Sequence, residues 1–233
     1  MPTESHSARW GRRTSTWEHH VTSAPGFAKV REVLVRVAQP VAGDAVVDLG
    51  AGTGFVTLEV APEVESVLAV DFAAPMLEAL EKQAAALGVS NVSTHRGDLA
   101  VFDLPEASVD LVVSSYALHH LTDPAKQDLV ARSYAWLRPG GRIVIADMMF
   151  GRGLSQRDRR ILVSKVAALA RKGPGGLWRI LKNAVRFGLR RGSELPATPE
   201  FWQQALGSAG FQEVGFEPVV AEAGVVFGRK PPA

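Results

Sequence analysis

The sequence predicts an α/β fold, a parallel sheet with helices on both faces. Three observations carry that prediction. Short apolar runs alternate with stretches of helical period along residues 26–150. Several of those runs end in an acid: Asp48, Asp71 and Asp147. The first run passes directly into Gly50-Ala51-Gly52-Thr53-Gly54, a strand-to-turn-to-helix signature. Strands buried on both faces read as continuous apolar runs, and such strands need helical crossovers.

In chain order, residues 1–24 are polar, with Trp10, Trp17, His19 and His20 set among Ser, Thr and Arg. Phe27 to Val37 has helical spacing and should stop before Pro40. Val46 to Leu49 is the first strand, and Phe55, Leu58 and Ala61 begin the helix after the glycine turn. Val67 to Asp71 is a second strand, followed by a helix over Pro75 to Leu87. Val92 to His95 is a third strand, and Gly97-Asp98 follows it. Val109 to Ser114 is a fourth, running into Tyr116-Ala117-Leu118-His119-His120-Leu121. A helix from Asp123 should reach Leu137 and stop at Pro139-Gly140-Gly141. Arg142 to Ala146 is the fifth strand. Thr198-Pro199-Glu200 opens a last helix to Leu206, and Phe211 to Val219 and Ala223 to Gly228 read as two closing strands.

The 233 residues, 46% of them hydrophobic and 21% charged, are ordinary for a globular chain. No apolar run reaches the ~18 residues of a membrane span. The absence of cysteine removes disulfides, thiolate nucleophiles and cysteine metal sites. The net charge of +2 hides an asymmetry. Residues 150–191 hold twelve Lys/Arg and one acid, Asp158, for a net +11. The remaining residues hold 14 basic and 23 acidic groups, for a net −9. Within Leu177 to Arg190, apolar and basic residues fall on different faces of a helix.

A dinucleotide fingerprint, G-x-G-x-x-G, would need glycine at position 55, which is Phe55. Asp48-Leu49-Gly50-Ala51-Gly52-Thr53-Gly54 instead resembles the first motif, (D/E)-h-G-x-G-x-G, of the class I S-adenosylmethionine-dependent methyltransferases. The resemblance covers residues 26–150 well and 197–229 loosely. It implies a Rossmann-like, seven-stranded, mostly parallel sheet with its last strand antiparallel, and a substrate lid inserted after the fifth strand. The expected organisation is an N-terminal segment over 1–25 and a cofactor-binding core over 26–149. A basic helical lid insert follows over 150–196, and residues 197–233 complete the core.

The resemblance also implies roles at the cofactor. Asp48 orients the methionyl end, Gly50, Ala51, Gly52 and Gly54 form the loop, and Asp71 meets the ribose hydroxyls. Phe72 flanks the adenine, Asp98 and Leu99 face its edge, and the main chain at Ser115 meets the ammonium. Methyl transfer mainly requires alignment, with a base where the acceptor loses a proton. Tyr116 and His119 are expected on the acceptor side, with His120 beside them and His19 or His20 as alternatives. Members with unrelated substrates also carry an A-L-H-H-L-like turn here, so a turn-shaping role for His119-His120 stands beside catalysis. No metal site is expected.

The acceptor is expected to be a small molecule, anionic or lipidic. The basic segment leaves a peripheral membrane or an acidic carrier protein open as partners. Nucleic acid is not expected, because Ser114-Ser115-Tyr116-Ala117 lacks the (N/D/S)-P-P-(Y/F/W) turn of amino-methylating nucleic-acid enzymes. The competing readings are RNA methylation, a non-catalytic cofactor-binding or carrier-docking module, and a nicotinamide oxidoreductase. The last lacks any Tyr-x-x-x-Lys pair. The missing apolar leader and the implied cofactor set the expected compartment as the cytoplasm.

Overall fold

A computed structural model describes residues 25–150, 163 and 195–233. Residues 1–24, the candidates His19 and His20 among them, and nearly all of the expected basic insert lie outside the described residues. The elements run α1 (Pro25–Ala38), β1 (Ala45–Leu49), α2 (Thr57–Val60), β2 (Ser66–Asp71), α3 (Ala74–Ala86), β3 (Val92–Arg96) and β4 (Val109–Ser115). They continue with α4 (Asp123–Trp136), β5 (Leu137–Met148), α5 (Pro199–Ala209), β6 (Gln212–Pro218) and β7 (Ala223–Arg229).

The seven strands lie in the order β3-β2-β1-β4-β5-β7-β6. β1 pairs in parallel with β2 and β4, and β5 with β4. β7 runs antiparallel to both of its neighbours, β5 and β6. The sheet is therefore the mostly parallel, seven-stranded one that the sequence predicts. Its connectivity changes direction at β1, which sits between β2 and β4. Ligands of open α/β sheets bind outside the strand carboxyl ends at such a point.

Alternation along each central strand divides the core. Val47, Leu49, Val112, Ile143, Ile145 and Val226 face a layer made by α4 and α5, where Trp136 and Trp202 are buried. Their neighbours Val46, Leu111, Val113, Val144, Ala146 and Val225 face α1 and α2, against Val30, Leu34, Val56 and Val60. A period of two therefore serves two apolar layers, as a doubly covered sheet requires. The edge strands β3 and β6 are correspondingly less buried. At the amino-terminal end of the sheet, Arg142 ties three elements together. Its guanidinium donates to Gln39 O and Asp44 Oδ2, each at 2.6 Å, and to Ala38 O at the end of α1.

Three boundaries differ from the expectation, one of them the end of α5, which runs to Ala209 past the expected Leu206. The helix after the glycine turn is only Thr57–Val60, continued by a 3-10 turn at Ala61–Glu63, because Pro62 cannot extend the α-helical hydrogen bonds. β5 begins at Leu137 rather than at Arg142. Its first residues form an irregular stretch, since the register jumps from Val109↔Leu137 to Leu111↔Arg142, with Gly140 at φ 81°. Lys230 N–H, donating to Gly141 O at 2.8 Å, holds that stretch against the chain leaving β7. No helix among the described residues is long and apolar enough to cross a membrane.

Candidate functional site

The tips of β1, β2 and β4 converge on the glycine loop. Gly50 and Ala51 N–H both donate to Val70 O, at 2.8 and 3.0 Å, which fastens the loop to β2. All three loop glycines have positive φ, 77°, 55° and 93° at Gly50, Gly52 and Gly54. The three differ in what surrounds them. A Cβ on Gly50 would lie 2.2 Å from Ala117 Cβ, and one on Gly54 2.4 Å from Leu80 Cδ1. A Cβ on Gly52 would meet nothing within 4 Å. The outer glycines therefore serve packing, and the middle one borders open space.

Asp48 closes the floor. It is 1% exposed, and its Oδ2 accepts a 2.6 Å hydrogen bond from Thr57 Oγ1 at the start of α2. Burial pushes its carboxyl up to about 7, against the opposing effect of the Thr57 bonds and with a further push from Asp71. Asp71, at the tip of β2, has one oxygen on Gly52 N–H (2.9 Å) and the other on Ala73 N–H (2.8 Å). Burial raises this carboxyl as well, against its three main-chain bonds. Asp71 also braces the start of α3: Ala73 is the cap residue of that helix, and Asp71 accepts its N–H.

The residues implied at the adenine end lie after β2 and β3. Phe72 is half-buried, and its carbonyl accepts from Arg96 Nε at 3.3 Å. Asp98 makes a tight turn in which Oδ1 accepts Ala100 N–H at 3.0 Å. Leu99 reaches the loop, its Cδ1 only 3.8 Å from a Cβ built on Gly50.

At the tip of β4, Ser114 Oγ is spent on Leu49 O at 2.7 Å, whereas Ser115 Oγ is buried with no hydrogen-bond partner. Tyr116 follows in the left-handed region, φ 51°, a conformation a bulky side chain holds at a cost of about 1–3 kcal/mol. Its N–H donates to Ala146 O, and its ring packs on Phe27 of α1, centroids 4.6 Å apart. Phe27 also makes an edge contact with Phe55 at 6.4 Å, so the start of α1 borders both the β4 tip and the glycine loop. Burial, then the charges of Glu222 and Asp147, hold the Tyr116 phenol above its ordinary value.

His119 lies in the short 3-10 turn Leu118–His120 and is 6% exposed. Its Nδ1 is 2.6 Å from Asp147 Oδ1, and its main-chain N–H donates to Asp147 Oδ2 at 2.9 Å. The His119 and His120 rings lie 4.1 Å apart. Sequence reasoning saw Asp147 only as a strand-ending acid. Its partner is twenty-eight residues away, and β4–β5 pairing, Ser115 beside Ala146, brings the two together. No group of three or more His, Cys, Asp or Glu among the described residues is arranged to hold a metal ion.

The sheet order and the loop match known proteins. A family profile described as a methyltransferase domain matches residues 46–141. An uncharacterized methyltransferase of Geobacillus thermodenitrificans is 35% identical over 147 residues, 63% of this chain and 63% of that protein. Another, from Anoxybacillus flavithermus, is 33% identical over 119 residues, 51% of this chain and 54% of its own length. The chain thus spans less than two thirds of the length of these curated relatives. Among solved structures, a SAM-dependent methyltransferase from Aquifex aeolicus superposes with a TM-score of 0.63 at 15% identity, over 94% of this chain and 97% of that one. The YcgJ protein of Bacillus subtilis gives 0.63 at 17% identity, over 88% and 99%. Likeness at that level shows a shared fold, the class I methyltransferase fold, and the methyltransferase-domain profile is similar to this chain over residues 46–141, less than half of its length.

Proposed function

We propose that this protein transfers a methyl group from S-adenosylmethionine to a small-molecule acceptor in the cytoplasm. The observation that carries the reading is the loop itself. Gly52 faces unfilled space, its amide is held by Asp71, and the buried Asp48 lies beneath. A cradle that a single Cβ would enter, together with a buried hydroxyl on Ser115 without a partner, fits a polar nucleoside carrying an amino-acid tail. When bound, S-adenosylmethionine supplies an electrophilic methyl on a sulfonium, which the acceptor displaces in line.

The residues then divide the work. Asp48 draws the ammonium toward the floor, and that cation favours its ionised form. Asp71 accepts from the ribose hydroxyls with the lone pairs that Gly52 and Ala73 leave it, charge-assisted bonds of the stronger kind. Phe72 flanks the base, and Asp98 and the main chain of Leu99 face its edge. Ser115 and its main chain hold the amino-acid tail. Tyr116 and His119, at the end of β4, face the acceptor. With its phenol raised, Tyr116 serves as a hydrogen-bond donor, which leaves proton abstraction to His119.

Alignment of donor and acceptor is the main catalytic resource, worth up to about 7–11 kcal/mol. The acceptor class we favour is anionic or lipidic, from the +11 charge that residues 150–191 carry in sequence. Isothermal titration of the full chain with S-adenosylhomocysteine and, separately, NADH tests the assignment. Micromolar binding of the first and none of the second is expected. Tight binding of the dinucleotide alone defeats it. A salt-steep affinity for RNA would move the acceptor to nucleic acid.

A further inference from the structure

The turn after β3 is gripped by α4, and that grip carries an inference that rests on the methyltransferase reading and deepens it. The turn lies beside the cradle. Gly97 N–H donates to Asp71 O at 3.0 Å, and Leu99 Cδ1 is 3.8 Å from a Cβ built on Gly50. Residues 97–99 thus join the tip of β2 to the glycine loop. The coil that follows is tight. Val101 and Phe102 N–H both donate to Asp98 O, at 3.0 and 2.8 Å, and Asp98 Oδ1 accepts Ala100 N–H at 3.0 Å.

Carbonyls at the end of such a coil carry partial negative charge, as they do at a helix C-terminus. Arg132, on α4, meets them. Its guanidinium donates to Leu99 O at 3.0 Å, to Ala100 O at 3.2 Å and to Phe102 O. Asp103 and Asp128 add opposite charge that favours the cation there. A planar fork with five donors serves three carbonyls at once, which a lysine ammonium on its flexible stem cannot match.

We propose that Arg132 is a positioning residue for the nucleoside base, holding the 98–102 turn so that Asp98 and the Leu99 amide select adenine. A carboxylate accepts from an exocyclic amino group, and a main-chain N–H donates to the neighbouring ring nitrogen. Hypoxanthine presents an oxo group and a protonated ring nitrogen at the same two places, so both contacts become repulsive. Such selection needs the two groups held in register. Neither Asp98 nor Leu99 lies in a strand or a helix, so the register comes from outside the turn.

Anchoring the segment to the core is already the work of Trp136. Its Nε1 donates to Asp103 Oδ1 at 2.7 Å, and its ring, 1% exposed, meets Phe102 edge-on with centroids 5.6 Å apart. Arg132 stands one helical turn earlier, half-buried, its guanidinium carbon 5.8 Å from the centre of that indole. Two of its three bonds go to Leu99 and Ala100, on the cradle side of the Trp136 anchor.

The test titrates S-adenosylhomocysteine and S-inosylhomocysteine into the full chain and into Arg132→Met, whose apolar stem still covers Trp136. The wild type is expected to prefer the adenosyl compound by at least about tenfold, the worth of a charge-assisted hydrogen bond. Arg132→Met should weaken the adenosyl compound about tenfold and leave the inosyl compound nearly unchanged, which erases most of the preference. Amide exchange followed by NMR without ligand should show Val101 and Phe102 N–H exchanging at least about tenfold faster in the variant. Equal weakening of both nucleosides, an undiminished preference or unchanged exchange overturns the proposal. Should Arg132→Met not fold, Arg132→Lys, which keeps the charge without the fork, should move preference and exchange in the same direction, and no movement overturns the proposal. A wild type that binds neither nucleoside defeats the methyltransferase reading and this inference with it. One that binds both equally defeats this inference alone.

Discussion

Gly50 and Gly52 share a left-handed backbone but should answer differently to the same substitution. Gly50→Ala forces a methyl into Ala117 at 2.2 Å and should destabilise the fold by about 2–4 kcal/mol, read by urea denaturation. Gly52→Ala costs only its backbone strain, about 1 kcal/mol, yet places a methyl in the open space. Its expected signature is a near-native denaturation midpoint with at least tenfold weaker binding of S-adenosylhomocysteine, measured by titration. Asp48 gives a pH prediction. Its folded carboxyl titrates at about 7 against 3.8 when unfolded, so the folded state holds the proton more tightly. Its contribution to stability is complete below about pH 4 and is lost as pH rises through 7. The difference is on the order of 4 kcal/mol. In Asp48→Asn the unliganded protein should show a shallower fall of Tm between pH 4 and 8, and a higher Tm than wild type at pH 8. Cofactor binding by the wild type near pH 7 should release a proton, seen as a binding enthalpy that depends on the buffer.

The elements differ in how their ends are fixed, and the ends explain where sequence reading succeeded. α5 stops where Gly210 turns left-handed at φ 102°, and a Cβ there would press on the Tyr134 ring at 3.1 Å. Gly210→Ala should therefore cost about 1–2 kcal/mol in denaturant while leaving cofactor affinity unchanged. That stop was not legible. The apolar spacing ends at Leu206, and the helix runs on to Ala209 until the left-handed Gly210, whose N–H donates to Gly207 O and Leu206 O, closes it. The strands were legible because burial on both faces writes itself as Val, Leu and Ile runs. The start of β5 was not, because Leu137 to Gly141 is held by the chain after β7, ninety residues later. The loop and its acids could be read from local spacing. The partnership of His119 with Asp147 could not, since no spacing rule links a turn after one strand to the tip of the next. The freely bordered Gly52 was likewise indistinguishable in sequence from its tightly packed neighbours.

At the scale of the whole molecule, one sheet serves both apolar layers, and neither layer can separate without exposing strands that the other also covers. Urea should unfold the described core in a single transition. S-adenosylhomocysteine at a hundredfold excess over its Kd should raise the unfolding free energy by about 2.7 kcal/mol, whereas NADH should leave the midpoint unchanged. Charge is divided along the chain as sharply as packing is shared, with the basic excess between residues 150 and 191 and the acidic excess elsewhere. Both flanks of that stretch are hydrogen-bonded to the described core. Met149 N–H donates to Glu222 O before it, and after it Leu195 N–H donates to His119 O at 2.6 Å. The carbonyl that accepts from Leu195 belongs to the residue whose ring meets Asp147. Leu195 and that imidazole are thus joined through one main-chain hydrogen bond, so a displacement of Leu195 would be felt at the turn that carries the ring.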